Sequence, residues 1–325
     1  MKMLWLDPFV SPKTEPMEIF QKIYNYFSED DSNFTIGIPD GYDWEKEKLV
    51  QVIETVCNML NIDYNKVVVL SDSAYTSQNI KFVANGVNIS LEQFANGMKD
   101  QFIEKKLEKY FLSMTSRPSW DRLCIASFLH HHYNDISKIK FALDMNYLTD
   151  NLGIDEAFRK YYRIPQRIKP ILDFMLHAPV DNVGEKWTRE QLANVKDSDC
   201  QFYSHDLYKT IGVEIVNETN TTKGFFLTEK TVRPIAYCTP FVMMASKHHL
   251  KHLKTLGFKT FSDVWDESYD DYEDKDRMER IYKTISDISR FTLEELYHRT
   301  HEICNYNKSL LDSFAWKNKI PNIKV

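Results

Sequence analysis

Apolar positions along the chain follow two rhythms that take turns. Short runs rich in β-branched and aromatic residues alternate with longer stretches whose apolar residues recur every three or four positions. Residues 2–9 (KMLWLDPF) and 33–40 (NFTIGIPD) read as buried strands ending on turn residues, and 16–27 between them has helical spacing. Residues 44–62 place Leu49, Val52, Ile53, Val56, Met59 and Leu60 on one helical face. KVVVLSDS (66–73) is the continuous apolar run expected of a strand covered on both sides, and 81–90 reads as another.

The rhythm restarts after the polar segment 96–106 with a strand over 107–114, a helix over 120–133 and a strand over 138–145. Residues 146–200 break it and read as an excursion with short helices. Regularity returns with strands over 212–218 and 240–245, helices over 228–237 and 248–258, and two closing helices over 275–291 and 292–315. Such alternation implies βαβ units and a mostly parallel sheet. The expectation is an α/β chain of two Rossmann-like domains facing a cleft, 1–106 and 107–325. Ligands of open parallel sheets sit beyond the carboxyl ends of strands. The loops after Met114, Asp144, Glu218 and Ala245 are therefore the places to look.

Composition narrows the function classes. Neither GxGxxG nor a Walker A sequence is present, which removes the main support for a nicotinamide dehydrogenase or a P-loop kinase. A net charge of −6 weighs against a protein that lives on phosphate contacts to nucleic acid. Cys57, Cys124, Cys200, Cys238 and Cys304 are odd in number and dispersed, as expected of free thiols in a reducing compartment. No apolar run approaches the roughly 20 residues of a membrane span, and the first ten residues lack the apolar core of a signal peptide. The expectation is a soluble, cytoplasmic protein with no membrane partner.

The densest chemistry lies in GVEIVNETNTTKGFFLTEKTVRPIAYCTPFVMMA (212–245). It reads as strand, polar loop, helix and buried strand, with Thr228 as the N-cap of the helix. Glu229 and Lys230 then fall in the first helical turn, where unpaired N–H groups and the helix dipole favour phosphate. Lys230 offers a point charge to a diphosphate, and Glu229 can accept from two ribose hydroxyls. Arg233, one turn on, fits either another phosphate contact or an ion pair with Glu229. The same spacing also fits a plain surface helix with a capping Thr and solvated charges. Upstream, SMTSRPSWDRLCIASFL (113–129) places Arg117 in a loop and Arg122 at a helix start; a guanidinium suits a diphosphate, and Arg122 also fits an ion pair with Asp121.

Both segments resemble the C-terminal domain of the α-1,3-fucosyltransferase-like glycosyltransferases of GT-B architecture. There a Glu-Asn-Ser segment precedes a Thr/Ser-Glu-Lys motif, a helix and a strand; here the counterparts are Asn217-Glu218-Thr219, Thr228-Glu229-Lys230 and Pro240-Phe241. The Arg-Pro, Thr-Glu-Lys and Asp-Glu-Ser-Tyr-Asp combinations are also similar to those of bacteriophage glycosyltransferase-like proteins. The resemblance implies a sugar transferase using a nucleotide-diphosphate sugar, with Glu229 on the ribose, Lys230 on the phosphates and Arg122 on the diphosphate. Arg117, Thr228 and Arg233 complete the expected donor site. An inverting reaction needs a carboxylate base from the N-terminal domain; Asp7 and Asp40, at the ends of expected strands, are the candidates. The acceptor is a glycan or small hydroxyl compound, or a hydroxylated base in viral DNA reached in the host cytoplasm. The DNA option calls for a basic groove drawn from Lys81, Lys105, Lys106, Arg159, Lys160, Arg163, Arg167 and Lys169. A non-enzymatic nucleotide-sugar-binding protein is the alternative.

Three further features invite attention. Trp265, Asp266, Glu267 and Tyr269 form an acidic aromatic loop that either closes over a sugar or packs as an ordinary loop. His130, His131 and His132 end a helix, and His248 with His252 has i, i+4 spacing suited to zinc but lacks an evident third ligand. No DxD motif stands at a strand end, so no metal and no cofactor beyond the donor substrate are expected.

Overall fold

The computed structural model describes residues 4–5, 16–28, 34–38, 46–71, 78–84, 104–115, 119–141, 165–183, 205–218, 221, 225 and 227–316. Their elements form two compact units, divided in the sequence between residues 84 and 104. The chain is mixed α/β. Among the described residues, no helix is long and apolar enough to cross a membrane.

The first unit contains β1 (Leu4–Trp5), α1 (Pro16–Ser28), β2 (Phe34–Ile38), α2 (Lys46–Leu60), β3 (Val67–Ser71) and β4 (Lys81–Ala84). All adjacent strands are parallel, in the order β1-β2-β3-β4. Right-handed crossovers that step in one direction put their helices on one face, and α1 and α2 pack against each other. Ile19, Ile23 and Phe27 from α1, and Leu49, Ile53, Val56 and Cys57 from α2, cover Phe34, Ile36, Val67 and Val69 of the strands. Met59, expected on the buried face of α2, is instead 60% exposed. It lies at the margin of the stripe, and Cys57 closes the opposite margin.

The second unit contains β5 (Lys109–Thr115), α3 (Trp120–Tyr133), β6 (Ser137–Phe141), α4 (Pro165–His177), β7 (Val180–Asp181), α5 (His205–Thr210) and β8 (Ile211–Asn217). It continues with α6 (Glu229–Ala236), β9 (Phe241–Met244), α7 (His249–Leu256), α8 (Asp274–Ile288) and α9 (Leu293–Ser313). Its five strands run β7-β6-β5-β8-β9, all neighbours parallel except the short antiparallel edge β7. The excursion expected over 146–200 thus contributes a helix and an edge strand too short to leave a period in the sequence.

Local chemistry explains the second unit's main contacts. β8 is buried along its whole length, as its run of Val and Ile demands. α3 is buried continuously from Arg122 to Leu129. It packs on α4 and on α8, where the Phe128 and Tyr282 rings stack at 4.1 Å. α9 starts on a capping box, Thr292 with Glu295. Gly212 lets α9 approach β8: a Cβ there would meet Leu296 Cδ2 at 3.0 Å and the Tyr110 carbonyl at 3.2 Å.

Candidate functional site

The strand order of the second unit reverses at one place. From β5 the chain proceeds to β6 and β7 on one side, then crosses to β8 and β9 on the other. The carboxyl ends of β5 and β8 therefore flank a topological switch point, where open parallel sheets leave a crevice for ligand. In the first unit, the sequential order of the described strands has no such reversal.

Two helices begin at this edge and are tied to it by buried polar side chains. Ser119 caps α3, and Arg122 in its first turn is only 7% exposed. Arg122 donates from Nη2 to the carbonyls of Glu218 at 2.8 Å and Asn217 at 3.4 Å, the last peptides of β8. Its neighbour Asp121 accepts from Thr221 Oγ1 at 2.6 Å. Glu218 is fully buried. Its carboxylate accepts from Thr228 Oγ1 at 2.6 Å, from Thr231 Oγ1, and from the Thr228 N–H at 3.4 Å. Thr228 in turn caps α6, its hydroxyl accepting from the Lys230 N–H at 3.2 Å. A chain of hydrogen bonds thus runs from α3 through the end of β8 to the start of α6.

Glu229 and Lys230 lie on the first turn of α6, and their side chains pair at 2.7 Å while remaining 25% and 23% exposed. Burial pushes the Glu229 carboxyl up, but the Lys230 ammonium, its hydrogen bond, a backbone N–H and Arg233 together outweigh it and hold the group below its ordinary range. An anionic carboxylate and a cation therefore stand together at a helix N-terminus. Arg233 turns inward instead. Its guanidinium meets Glu214, itself 1% exposed, and Glu214 also accepts from Tyr208 at 2.7 Å. The sequence left Arg233 to a phosphate contact or a pair with Glu229; the structure engages it with buried Glu214, from where it still helps to hold the Glu229 carboxyl low.

Sequence patterning missed two participants. Glu218 carries no periodic signal, since buried strands are read as apolar runs. Arg277 of α8, 2% exposed, donates to the carbonyls of Ala245, just past β9, of Thr221 at 3.0 Å, and of Tyr272. Its signal was present: Arg277 shares the apolar stripe of α8 with Ile281 and Ile285, and a cation on such a stripe must find buried acceptors.

Other expectations fare differently. Asp7, Asp40 and Arg117 lie outside the described residues, as do Arg159, Lys160 and Arg163 of the basic groove. Arg167 and Lys169 belong to α4, while Lys81 and Lys106 are exposed. Lys105 does not offer its ammonium to a groove: it donates to the Tyr208 carbonyl at 2.7 Å and to Thr239 Oγ1 at 2.6 Å. Burial lowers it to about 8, against the charge-favouring Cys304, Cys238 and Glu214. It lines a cavity of about 730 Å³ with Cys238, Tyr297, Cys304 and Lys308. That cavity is at the amino end of the sheet, opposite the switch point. Its cations are already engaged, Lys308 with Asp312 at 2.8 Å, so the switch point is the better candidate.

The acidic aromatic loop packs inward. Trp265 and Tyr269 are buried, Glu267 accepts from Thr260 and from the Phe261 N–H, and Asp270 accepts from the Leu250 and Lys251 N–H groups at the start of α7. These carboxylates satisfy backbone and hydroxyl donors and hold the turn together. His248 caps α7 in a left-handed conformation (φ 64°), faces Asp271 at 3.3 Å and accepts at its carbonyl from the His252 N–H at 3.0 Å. Among the described residues, no group of three or more His, Cys, Asp or Glu side chains is placed to hold a metal ion.

Comparison with protein-family models, with characterised proteins and with solved structures finds no match to this chain.

Proposed function

We propose that this chain is a glycosyltransferase that takes a sugar from a nucleotide-diphosphate donor bound at the carboxyl edge of the five-stranded sheet. The observation that carries the reading is the convergence of the capped start of α6, with Glu229 and Lys230 side by side, on the switch point between β5 and β8. A helix N-terminus with an adjacent ammonium suits a diphosphate. A carboxylate beside it suits the paired hydroxyls of a ribose, the roles that the fucosyltransferase-like resemblance implies. Transfer breaks the bond between the anomeric carbon and the diphosphate, and Lys230 with the α6 dipole stabilises the charge that develops on the leaving group. Arg122 and Glu218 act by holding β8 and α6 in place; Arg233 acts within the core.

On this reading the two units correspond to the two Rossmann-like domains of a GT-B enzyme facing a cleft, and the acceptor hydroxyl belongs to a glycan or to a hydroxylated base in DNA. Among the described residues Cys57, Cys124, Cys238 and Cys304 form no disulfide, in keeping with a reducing cytoplasmic compartment. The test is calorimetric titration with UDP- and GDP-sugars of the native chain, Glu229→Ala and Lys230→Ala. Each variant is expected to bind on the order of tenfold or more weakly, as loss of a hydrogen bond to a charged group implies. Unchanged affinity in both sinks the assignment. Binding without turnover on any acceptor favours a non-enzymatic nucleotide-sugar-binding protein, and hydrolysis stimulated by DNA favours the base acceptor.

A further inference from the structure

Three side chains at the same sheet edge carry buried hydrogen-bonding atoms with no partner among the described residues: Thr115 Oγ1, Asn217 Oδ1 and Ser246 Oγ. Each residue is only 3% exposed. Thr115 ends β5, Asn217 ends β8 and Ser246 follows β9, and these three strands are neighbours in the order β5-β8-β9. β5 and β8 pair from Lys109–Ile211 to Leu112–Glu214, and Thr115 and Asn217 each stand three residues past the last of these pairs. Asn217 faces Met244, the last residue of β9, and Ser246 lies two residues further on, in the bend that leads from β9 toward α7. The three therefore stand at the carboxyl ends of three neighbouring strands, at the switch point.

Asn217 indicates what the three take. Its Nδ2 is committed to Ser113 Oγ at 3.0 Å and to the Ile215 carbonyl at 3.4 Å. A carbonyl oxygen only accepts, so Ile215 decides which end of the amide lies there. The remaining oxygen, Oδ1, needs an O–H or N–H donor. Phosphate oxygens ionised at neutral pH supply none, whereas a sugar hydroxyl does. The hydroxyls of Thr115 and Ser246 donate or accept, which matches a row of ligand hydroxyls. A buried polar atom left unmet costs about 1–3 kcal/mol, and a ligand that meets it recovers that cost.

We propose that Thr115, Asn217 and Ser246 form a hydroxyl-reading strip, with Asn217 Oδ1 accepting from a hydroxyl of the ligand. The proposal rests on the nucleotide-sugar reading and deepens it. The start of α6 with Lys230 takes the anionic part of the donor, and the strip takes hydroxyls of either the ribose or the transferred sugar.

The test uses the full chain, its Thr115→Val and Ser246→Ala variants and their double, titrated with UDP-glucose, GDP-mannose, UDP and GDP, with a melting temperature for each protein. Since the deleted hydroxyls have no partner among the described residues, the melting temperature is expected to hold or rise. The double variant is expected to bind the nucleotide sugar on the order of tenfold more weakly. A loss confined to the nucleotide sugars assigns the strip to the transferred sugar; an equal loss for UDP or GDP assigns it to the ribose. Unchanged affinity overturns the strip while leaving the donor site standing, provided Glu229→Ala and Lys230→Ala still weaken binding. A lower melting temperature with unchanged affinity, or loss of the fold, also overturns it, because the hydroxyls then serve the fold. A native chain that binds none of the four probes removes both the strip and the donor reading.

Discussion

The hydroxyl of Thr228 lies 2.6 Å from the carboxylate of Glu218, ten residues earlier in the chain and fully buried at the end of β8. One side chain thus does two things: it caps α6 through the Lys230 N–H and anchors that cap to the strand. The orientation of the first helical turn, and with it Glu229 and Lys230, is set by this contact. Glu218→Ala strands two hydroxyls and an N–H in a buried site, and is expected to cost about 3 kcal/mol. In a double-mutant cycle with Thr228→Val, urea unfolding should show a coupling of about 1–2 kcal/mol. Additive losses would mean that the two groups do not act together.

The Arg233–Glu214 pair is expected to be structural. Arg233→Met leaves a buried carboxylate uncompensated and should destabilise the fold by about 3–5 kcal/mol. Adding Glu214→Gln removes that charge while keeping an acceptor for Tyr208, and should restore part of the loss. Nucleotide affinity, measured below the unfolding transition, is expected to match the native chain. A large affinity loss in the folded single variant would return Arg233 to the ligand site.

Glu229 supplies a pH signature. Lys230 holds its carboxyl below its ordinary 4.5, against the opposing effect of burial. A depressed carboxyl binds fewer protons folded than unfolded, so its contribution is complete above the ordinary value and is lost as the pH falls through the lower folded one. Thermal melts of Glu229→Gln should therefore lie below those of the native chain at neutral pH and converge with them in acid. A gap independent of pH would show that the pair contributes no charge-dependent stability.

His249 predicts acid sensitivity of a different origin. Burial, then His252 and Arg277, push its imidazole from 6.5 down to about 3. Between those values the unfolded chain binds a proton that the fold refuses, so stability falls with pH by about 1.4 kcal/mol per unit. It is retained above 6.5. Urea unfolding from pH 7 to pH 4 should show a shallower decline in His249→Leu than in the native chain. Parallel declines would mean that the ring is not held neutral.

Much of the secondary structure was legible in the sequence because burial on one face imposes a period on the chain. The helices of the first unit, the strand–helix pairs around Arg122 and Glu229, and the capping role of Thr228 all follow from such local rules. β7 was not legible, since two residues carry no period. Met59 and Lys105 were misplaced for a related reason: the period marks a stripe but not its edges, and a charged residue does not announce the acceptors it will find.

By itself, then, the sequence determined that this is an α/β chain, where most of its described helices begin, and that Thr228, Glu229 and Lys230 open one of them. Only the tertiary structure decided which strands are neighbours, and so where the order reverses. It also decided that Arg122 would end on the carbonyls of β8, that Arg233 would turn to Glu214, and that Glu218 would hold the cap of α6. Each of those outcomes depends on groups between ten and nearly a hundred residues apart meeting where water is excluded. The hydrogen-bonding needs that select such partners leave no repeating trace along the chain.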